Sequence, residues 1–426
     1  MSFKRNLKWS SIGTIARYLA QTISIVALAR VLNPVDFGIV SASLVVINFL
    51  TTLAQFGSSQ LIVTAKDKEL GKVIFQSLFL STILSVVFMV GLYIFSSSVS
   101  NLLTNENITV YINALIPVII LKSLSMSFEG ILVRASRFKF IAISSSVSFI
   151  FGYFVVAFTL AIMGFQLWSL IVATVVQTAL YLFLLVYAVY KHNQKCITIS
   201  FDNIITNLKQ STLISYSQIV SNFTGQIDNY FVSKFIGLSV LGIYSRAYQL
   251  MVVPCNFIGQ MINQVFLKEF SSDNHSRNSR IINHSLILNL AMSMSVTGII
   301  FLFGLNLINI VLGPGWETVQ EPLLILSLSI YPRMLYKIGE PILYSNRNFK
   351  NIAFFSTLYL IMVSLLLVIL IPYGIKGVAF AVLLGTGVYG IIMFHKIIQL
   401  YPETKKVFYI TLASYLSLIG LVVNYG

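Results

Sequence analysis

Apolar residues run along this chain in long unbroken stretches, each closed by a short polar or charged interval. A stretch of about 20 apolar residues crosses roughly 30 Å of hydrocarbon as a helix. Thirteen such stretches are read, at about 9–32, 37–57, 73–95, 108–133, 140–163, 166–190, 211–236, 239–266, 283–312, 319–345, 351–371, 375–400 and 407–424. The runs are continuous instead of alternating with period two, which predicts transmembrane helices and not a barrel. The first stretch is read as a retained helix, because it is long, carries Arg17 inside it and lacks a small-residue cleavage site. No interval between stretches is long enough for a soluble domain.

Composition agrees with this pattern. Of 426 residues, 57% are hydrophobic and 10% charged, whereas soluble domains carry about 25% charge. Soluble enzymes, nucleic-acid binders and disordered chains are excluded on that ground. The net charge of +15 is first tested against the positive-inside rule. With the N-terminus in the cytoplasm, 20 of the 28 Lys and Arg fall on inside segments. Arg30, Lys234 and Lys376 fall on outside ends. The charge is thus chiefly an orientation signal, with no nucleic-acid partner needed. Two cysteines far apart and four scattered histidines offer no disulfide framework and no metal site. A Gly-rich nucleotide loop is lacking, so no cofactor is expected.

An internal repeat emerges without any alignment of relatives. Residues 29–43 lie on 233–247 at an offset of 204, which places Arg30 on Lys234, Gly38 on Gly242 and Ser41 on Ser245. Residues 136–142 lie on 347–353 at an offset of 211. Spans 1–6 therefore recur as spans 7–12. Six is even, so both copies share one orientation about an axis along the membrane normal. The predicted fold is all-α and polytopic. Two six-helix bundles at 1–195 and 196–400 are related by a pseudo-two-fold, and 401–426 forms an extra C-terminal helix.

Five cations remain inside the spans: Arg17, Lys122, Arg246, Arg333 and Lys337. A charge at the bilayer centre costs about 3 kcal/mol on insertion scales, so it faces a partner or a water-filled cavity. The 211 offset lays Lys122 on Arg333 and Glu129 on Glu340. Each copy then holds a cation and, seven residues on, a glutamate on the same helix face. These could be structural ion pairs. Lys337 makes the second copy more cationic than pairing needs, which favours a polar cavity. Gln21 in span 1, Gln218, Asn222, Gln226 and Asp228 in span 7, and Gln249, Asn256 and Gln260 in span 8 give polar stripes. Such stripes line a hydrated path or a helix seam. Pro254, Pro332 and Pro341 fall within or beside the charged stretches and can kink their helices.

LARVLNPVDFG at 28–38, RFKFIA at 137–142, LGIYSRAYQL at 241–250 and LGPGWETV at 312–319 resemble bacterial polysaccharide and O-antigen flippases. These are Wzx-like members of the multidrug/oligosaccharidyl-lipid/polysaccharide exporter superfamily, and the resemblance covers about 1–400. It implies a multi-pass protein of the cell inner membrane that flips an undecaprenyl-diphosphate-linked oligosaccharide, an O-antigen or capsule repeat unit. Movement would run from the cytoplasmic to the periplasmic leaflet, coupled to H+ or Na+. Polymerase and chain-length proteins of the same pathway are the partners it implies. A diphosphate calls for cations, which assigns Arg17, Lys122, Arg246, Arg333 and Lys337 to it. Sugars call for amides, which assigns Gln21, Gln218, Asn222, Gln226, Gln249, Asn256 and Gln260. Asp228, Glu129 and Glu340 are the ion-coupling candidates.

Two other classes are weighed. A multidrug cation antiporter of the same superfamily would favour an acidic, aromatic cavity, and the interior cations oppose that. A membrane-embedded oligosaccharide polymerase needs a large outside loop with catalytic residues. The longest here, about 96–107, carries only Glu106 as a charge. The chain is accordingly read as a transporter and not an enzyme.

Overall fold

A computed structural model describes residues 24, 27–65, 69–191, 198–202, 204–269, 275–345 and 349–425. Arg17, Gln21 and most of the first expected span lie outside the described residues. The rest is all-α, as expected, with no strand among the described residues. The chain divides into two compact units, Met1–Gly242 and Ile243–Gly426.

The first unit contains α1 (Pro34–Gln55), α2 (Ser58–Thr64), α3 (Leu70–Leu103), α4 (Thr109–Leu115) and α5 (Pro117–Arg134). It continues with α6 (Phe138–Phe149), a π-helical segment (Ile150–Ala157), α7 (Phe158–Ile162), α8 (Leu167–Lys191) and α9 (Ile204–Phe235). Helix α10 (Leu238–Glu269) begins in this unit and runs on into the second. There follow α11 (His275–Val311), α12 (Gln320–Ser327), α13 (Ile330–Ser345), α14 (Phe349–Leu370), α15 (Gly374–Leu400) and α16 (Lys405–Tyr425). Each expected span from 37–57 onward coincides with one of these elements or with two or three in succession. Among the described residues, seven helical stretches are long and apolar enough to cross a membrane, including Pro34–Val63, Leu70–Leu103 and Ser276–Val311. Helices α9, α10 and α13 are more polar, as their amide and charge content requires.

Local sequence explains where the helices begin and end. Asn33 caps α1, Pro34 occupies its first turn, and the Asn33 N–H donates to Asp36 Oδ2 at 3.0 Å, completing a capping box. Phe56 and Gly57 then take left-handed backbone angles, φ 40° and 68°, which end α1 and start α2. Between lipid-embedded helices the hydrophobic drive is weak, so small residues and hydrogen bonds carry the packing. The seam of α5 against α2 and α3 follows that rule: Ser85 meets Ser123 at 2.6 Å and Ser58 meets Ser127 at 2.8 Å. Gly130 lies against the Ser59 backbone, where a Cβ would approach to 3.0 Å.

The repeat is visible in one contact of the first unit. A Cβ on Gly38 would lie 1.8 Å from the Leu238 carbonyl oxygen, and a Cβ on Gly242 would lie 1.8 Å from the Pro34 carbonyl oxygen. Pro34 and Leu238 are themselves related by the 204 offset. The first turns of α1 and α10 thus cross reciprocally, each glycine admitting the other turn's backbone. That requirement explains why this stretch gave the repeat's best match.

Candidate functional site

In the first unit α5 carries both Lys122 and Glu129. The Lys122 ammonium donates to Asn48 Oδ1 on α1 at 2.7 Å. The Tyr181 hydroxyl on α8 donates to Glu129 Oε2 at 2.9 Å. On α9, Asp228 is buried at 4% exposure and accepts the Asn229 backbone N–H at 2.8 Å. Asn222 is exposed and donates its side-chain amide to the Gln218 carbonyl at 3.0 Å. Gln226 accepts from the Asn229 amide at 3.2 Å. The α9 stripe is a ladder of amides along one face, whose donors and acceptors partly satisfy one another.

In the second unit the residues gather on α10 and α13. Arg333 is 6% exposed, and its guanidinium donates to the Tyr248 hydroxyl at 2.8 Å. Its Nε is buried without a hydrogen-bond partner among the described residues. One turn on, Lys337 donates to Asn256 Oδ1 at 2.5 Å. Tyr389 of α15 donates to Glu340 Oε1 at 3.2 Å. The Tyr389 ring stacks on Tyr359 with centroids 4.5 Å apart, and Tyr336 lies 5.1 Å away. Arg246 and Gln249 are half-buried on α10, and the Gln249 side-chain oxygen is buried without a hydrogen bond among the described residues. The Gln260 side chain lies outside the described residues.

The structure therefore brings Lys122 to Asn48, and Lys337 to Asn256, instead of bringing either lysine to a carboxylate. Among the described residues the ion pairs are Lys72–Asp202 and Lys376–Glu321, both exposed. Lys122, Arg333 and Lys337 make none. An ammonium or guanidinium held in the interior only by neutral groups has no opposite charge to offset its desolvation, which makes its charged form costly. Glu129 and Glu340 each accept from a tyrosine, and the pairs Lys122–Glu129 and Arg333–Glu340 do not form among the described residues. Asn48, Tyr181, Tyr248 and Tyr389 were missed by sequence reasoning. Val45-x-x-Asn48-Phe49 and Val253-x-x-Asn256-Phe257 could have revealed the asparagines at an offset of 208. Tyr181 and Tyr389 share that offset.

A family model described as polysaccharide biosynthesis protein matches residues 27–321, more than half the chain. The chain belongs to this family. Among curated proteins, it is 26% identical over 277 residues to the succinoglycan biosynthesis transport protein ExoT of Rhizobium meliloti. That match covers 65% of this chain and 55% of ExoT, so it spans little more than half of that relative. It is 23% identical over 348 residues to the lipopolysaccharide biosynthesis protein WzxC of Escherichia coli, covering 79% of this chain and 68% of WzxC. Among solved structures, the lipid II flippase MurJ in an inward closed conformation superposes with a TM-score of 0.75 at 16% identity, covering 96% and 92% of the two chains. A MOP-superfamily transporter from Pyrococcus furiosus gives 0.71 at 15% identity, covering 95% and 97%. The polysaccharide biosynthesis protein therefore has the fold of MOP-superfamily transporters and is a multi-pass membrane protein.

Proposed function

We propose that this polysaccharide biosynthesis protein is a flippase for an undecaprenyl-diphosphate-linked oligosaccharide. It moves its substrate from the cytoplasmic to the periplasmic leaflet of the inner membrane by alternating access, with its N-terminus in the cytoplasm. The two repeats, 1–195 and 196–400, form the moving bundles, and 401–426 is appended to the second. The observation that carries this reading is the set of interior cations without carboxylate partners among the described residues, buried Arg333 and half-buried Lys122 and Lys337. A substrate carrying two phosphates supplies the compensating charge, and its departure leaves the cations ready for the next molecule. Arg333 is the leading diphosphate residue, because its planar fork suits phosphate oxygens and its Nε still lacks an acceptor.

Arg17 and Arg246 extend the cationic path in this proposal. Gln218, Asn222, Gln226 and Gln249 face the sugars, and Asp228, Glu129 and Glu340 are the groups for a coupling H+ or Na+. Polymerase and chain-length proteins of the same pathway take the product. The names of ExoT and WzxC support the substrate class, since both are biosynthesis proteins for cell-surface polysaccharides. A drug-cation exporter would gain nothing from uncompensated buried cations.

The test is to delete the gene from its host and identify the lipid-linked intermediates that accumulate. A diphosphate-linked oligosaccharide trapped on the cytoplasmic side is expected. Normal surface polysaccharide in the deletion strain contradicts the proposal.

A further inference from the structure

Two lysines in this chain are held by asparagines in the same way, one in each unit, and the chemistry of those two pairs is specific. A lysine ammonium has three donors and no acceptor. In each pair one N–H goes to the asparagine Oδ1, at 2.7 Å for Lys122 and 2.5 Å for Lys337. Because an ammonium is donor-only, the amide oxygen must face it and the amide nitrogen must face away. Neither amide nitrogen makes a hydrogen bond among the described residues. What each pair offers beyond its own internal bond is therefore mainly donors: the remaining ammonium N–H groups and the two amide N–H groups beside them, against one lone pair left on Oδ1.

A structural tie would not look like this. An aspartate at 48 or 256 would hold the same lysine more strongly and cancel its charge, and a carboxylate is only one atom type away from the amide. Glu129 lies two turns from Lys122 on the same face of α5, and Glu340 lies three residues from Lys337, yet both accept from tyrosines. The amide fixes the direction of the ammonium and leaves its charge intact. The repeat makes the same point independently. Between the two copies the lysine has moved by one helical turn, since Lys122 aligns with Arg333 and not with Lys337. The lysine–asparagine pairing has nevertheless survived in both.

We propose that Asn48 and Asn256 are positioning residues of two oxyanion sites, one per unit, each built from a lysine ammonium and the asparagine amide N–H groups. Each site takes a phosphate oxygen. This rests on the flippase proposal for the identity of the phosphate, a polyprenyl diphosphate head. It removes Asn256 from the sugar-facing set and makes it a partner of the diphosphate.

The test uses full-length protein in lipid nanodiscs and undecaprenyl diphosphate as the binding probe, with Asn48→Asp and Asn256→Asp as the variants. Each aspartate keeps the bond to its lysine but neutralises it. A fall in affinity of about tenfold or more is expected for each, about 1.4 kcal/mol, with the thermal unfolding midpoint unchanged or raised. Affinity within twofold of wild type in both variants overturns the proposal, because a merely structural asparagine tolerates the stronger tie. Should an aspartate variant fail to fold, Asn→Ala at the same position decides. It leaves the charge but loses the aim and the amide donors, so a severalfold loss of affinity is expected, and none overturns the proposal. Nanodiscs rich in phosphatidylglycerol separate a bulk lipid phosphate from the diphosphate head. Displacement of the probe at equimolar phosphatidylglycerol overturns the diphosphate assignment. If wild-type protein does not bind the probe at all, the flippase proposal fails first.

Discussion

The α1–α5–α8 cluster of the first unit and the α10–α13–α15 cluster of the second are two versions of one arrangement. Both hold a lysine on an asparagine and a glutamate on a tyrosine. They differ in what was added. The second cluster has one cation more, since Arg333, at the repeat position of Lys122, binds Tyr248 one turn from Lys337, and the tyrosine on its glutamate, Tyr389, packs against Tyr336 and Tyr359. Two like charges one turn apart repel each other, and burial increases that cost. The shared part is thus the common scaffold, and under the flippase proposal the additional cation makes the second cluster the stronger anion site. A duplicated bundle need not divide its work evenly, and here the charge has collected on one copy.

The largest expected effect separates the two clusters. Arg333→Ala should reduce transport of a diphosphate-linked substrate about 10–100-fold, since hydrogen bonds to charged groups are worth about 1.5–3 kcal/mol. Lys122→Ala should cost less than tenfold. Initial flipping rates in reconstituted vesicles decide it, and equal losses erase the distinction between the copies. Next comes the reciprocal crossing of α1 and α10. Gly38→Ala and Gly242→Ala each force a Cβ onto a carbonyl oxygen. Each should lower stability by about 1–3 kcal/mol, and unfolding in detergent should give similar losses if the crossing is symmetric. Two very different values would show that the repeat is broken there.

A smaller pair of effects probes the glutamates. Tyr181→Phe and Tyr389→Phe each remove one interhelical hydrogen bond, worth about 0.6 kcal/mol on average in membrane proteins. Phenylalanine keeps the ring and its stacking on Tyr359, so the two losses should be similar. The smallest effect belongs to the first unit's surface clasp. Lys72 donates to Asp202 at 2.8 Å, Gln76 donates to the Ser200 and Asp202 carbonyls at 2.9 and 2.8 Å, and Phe201 packs edge-on against Phe75 and Phe79. The hydrogen bond from Lys72, then that from Ser200, holds the Asp202 carboxyl below its usual pKa. A depressed carboxyl stabilises the folded state above its unfolded pKa, and that contribution fades as pH falls through the folded value. Lowering pH from 6 to 3 should reduce the unfolding midpoint of wild type slightly more than that of Lys72→Ala. Identical shifts in the two proteins would remove the clasp from the stability account.

Much of the candidate site could be read from the residues, and the limit has a physical cause. Intramembrane charges are costly, so Lys122, Glu129, Arg333, Lys337 and Glu340 stood out wherever they lay. Their partners did not, because asparagine and tyrosine are ordinary in membrane helices. A constant offset also hides them: Gly38 matches Gly242 at 204, but Asn48 matches Asn256 at 208. A slip of four residues is about one helical turn, so it preserves the face while defeating a rigid alignment. The π-helical turn at Ile150–Ala157 likewise leaves no trace in an apolar run. The stripe on α9 was legible as a polar face, but not that Asn229 bonds to Gln226 and Asn222 to the Gln218 backbone carbonyl.

The uncompensated cations are the centre of this proposal, and charge selectivity measures them directly. Vesicles carrying the wild-type protein should flip an undecaprenyl-diphosphate-linked oligosaccharide at least tenfold faster than the same sugar on an uncharged polyprenyl carrier. Arg333→Ala should bring the two rates together. Equal rates for both substrates in the wild type would contradict a site built to hold phosphate.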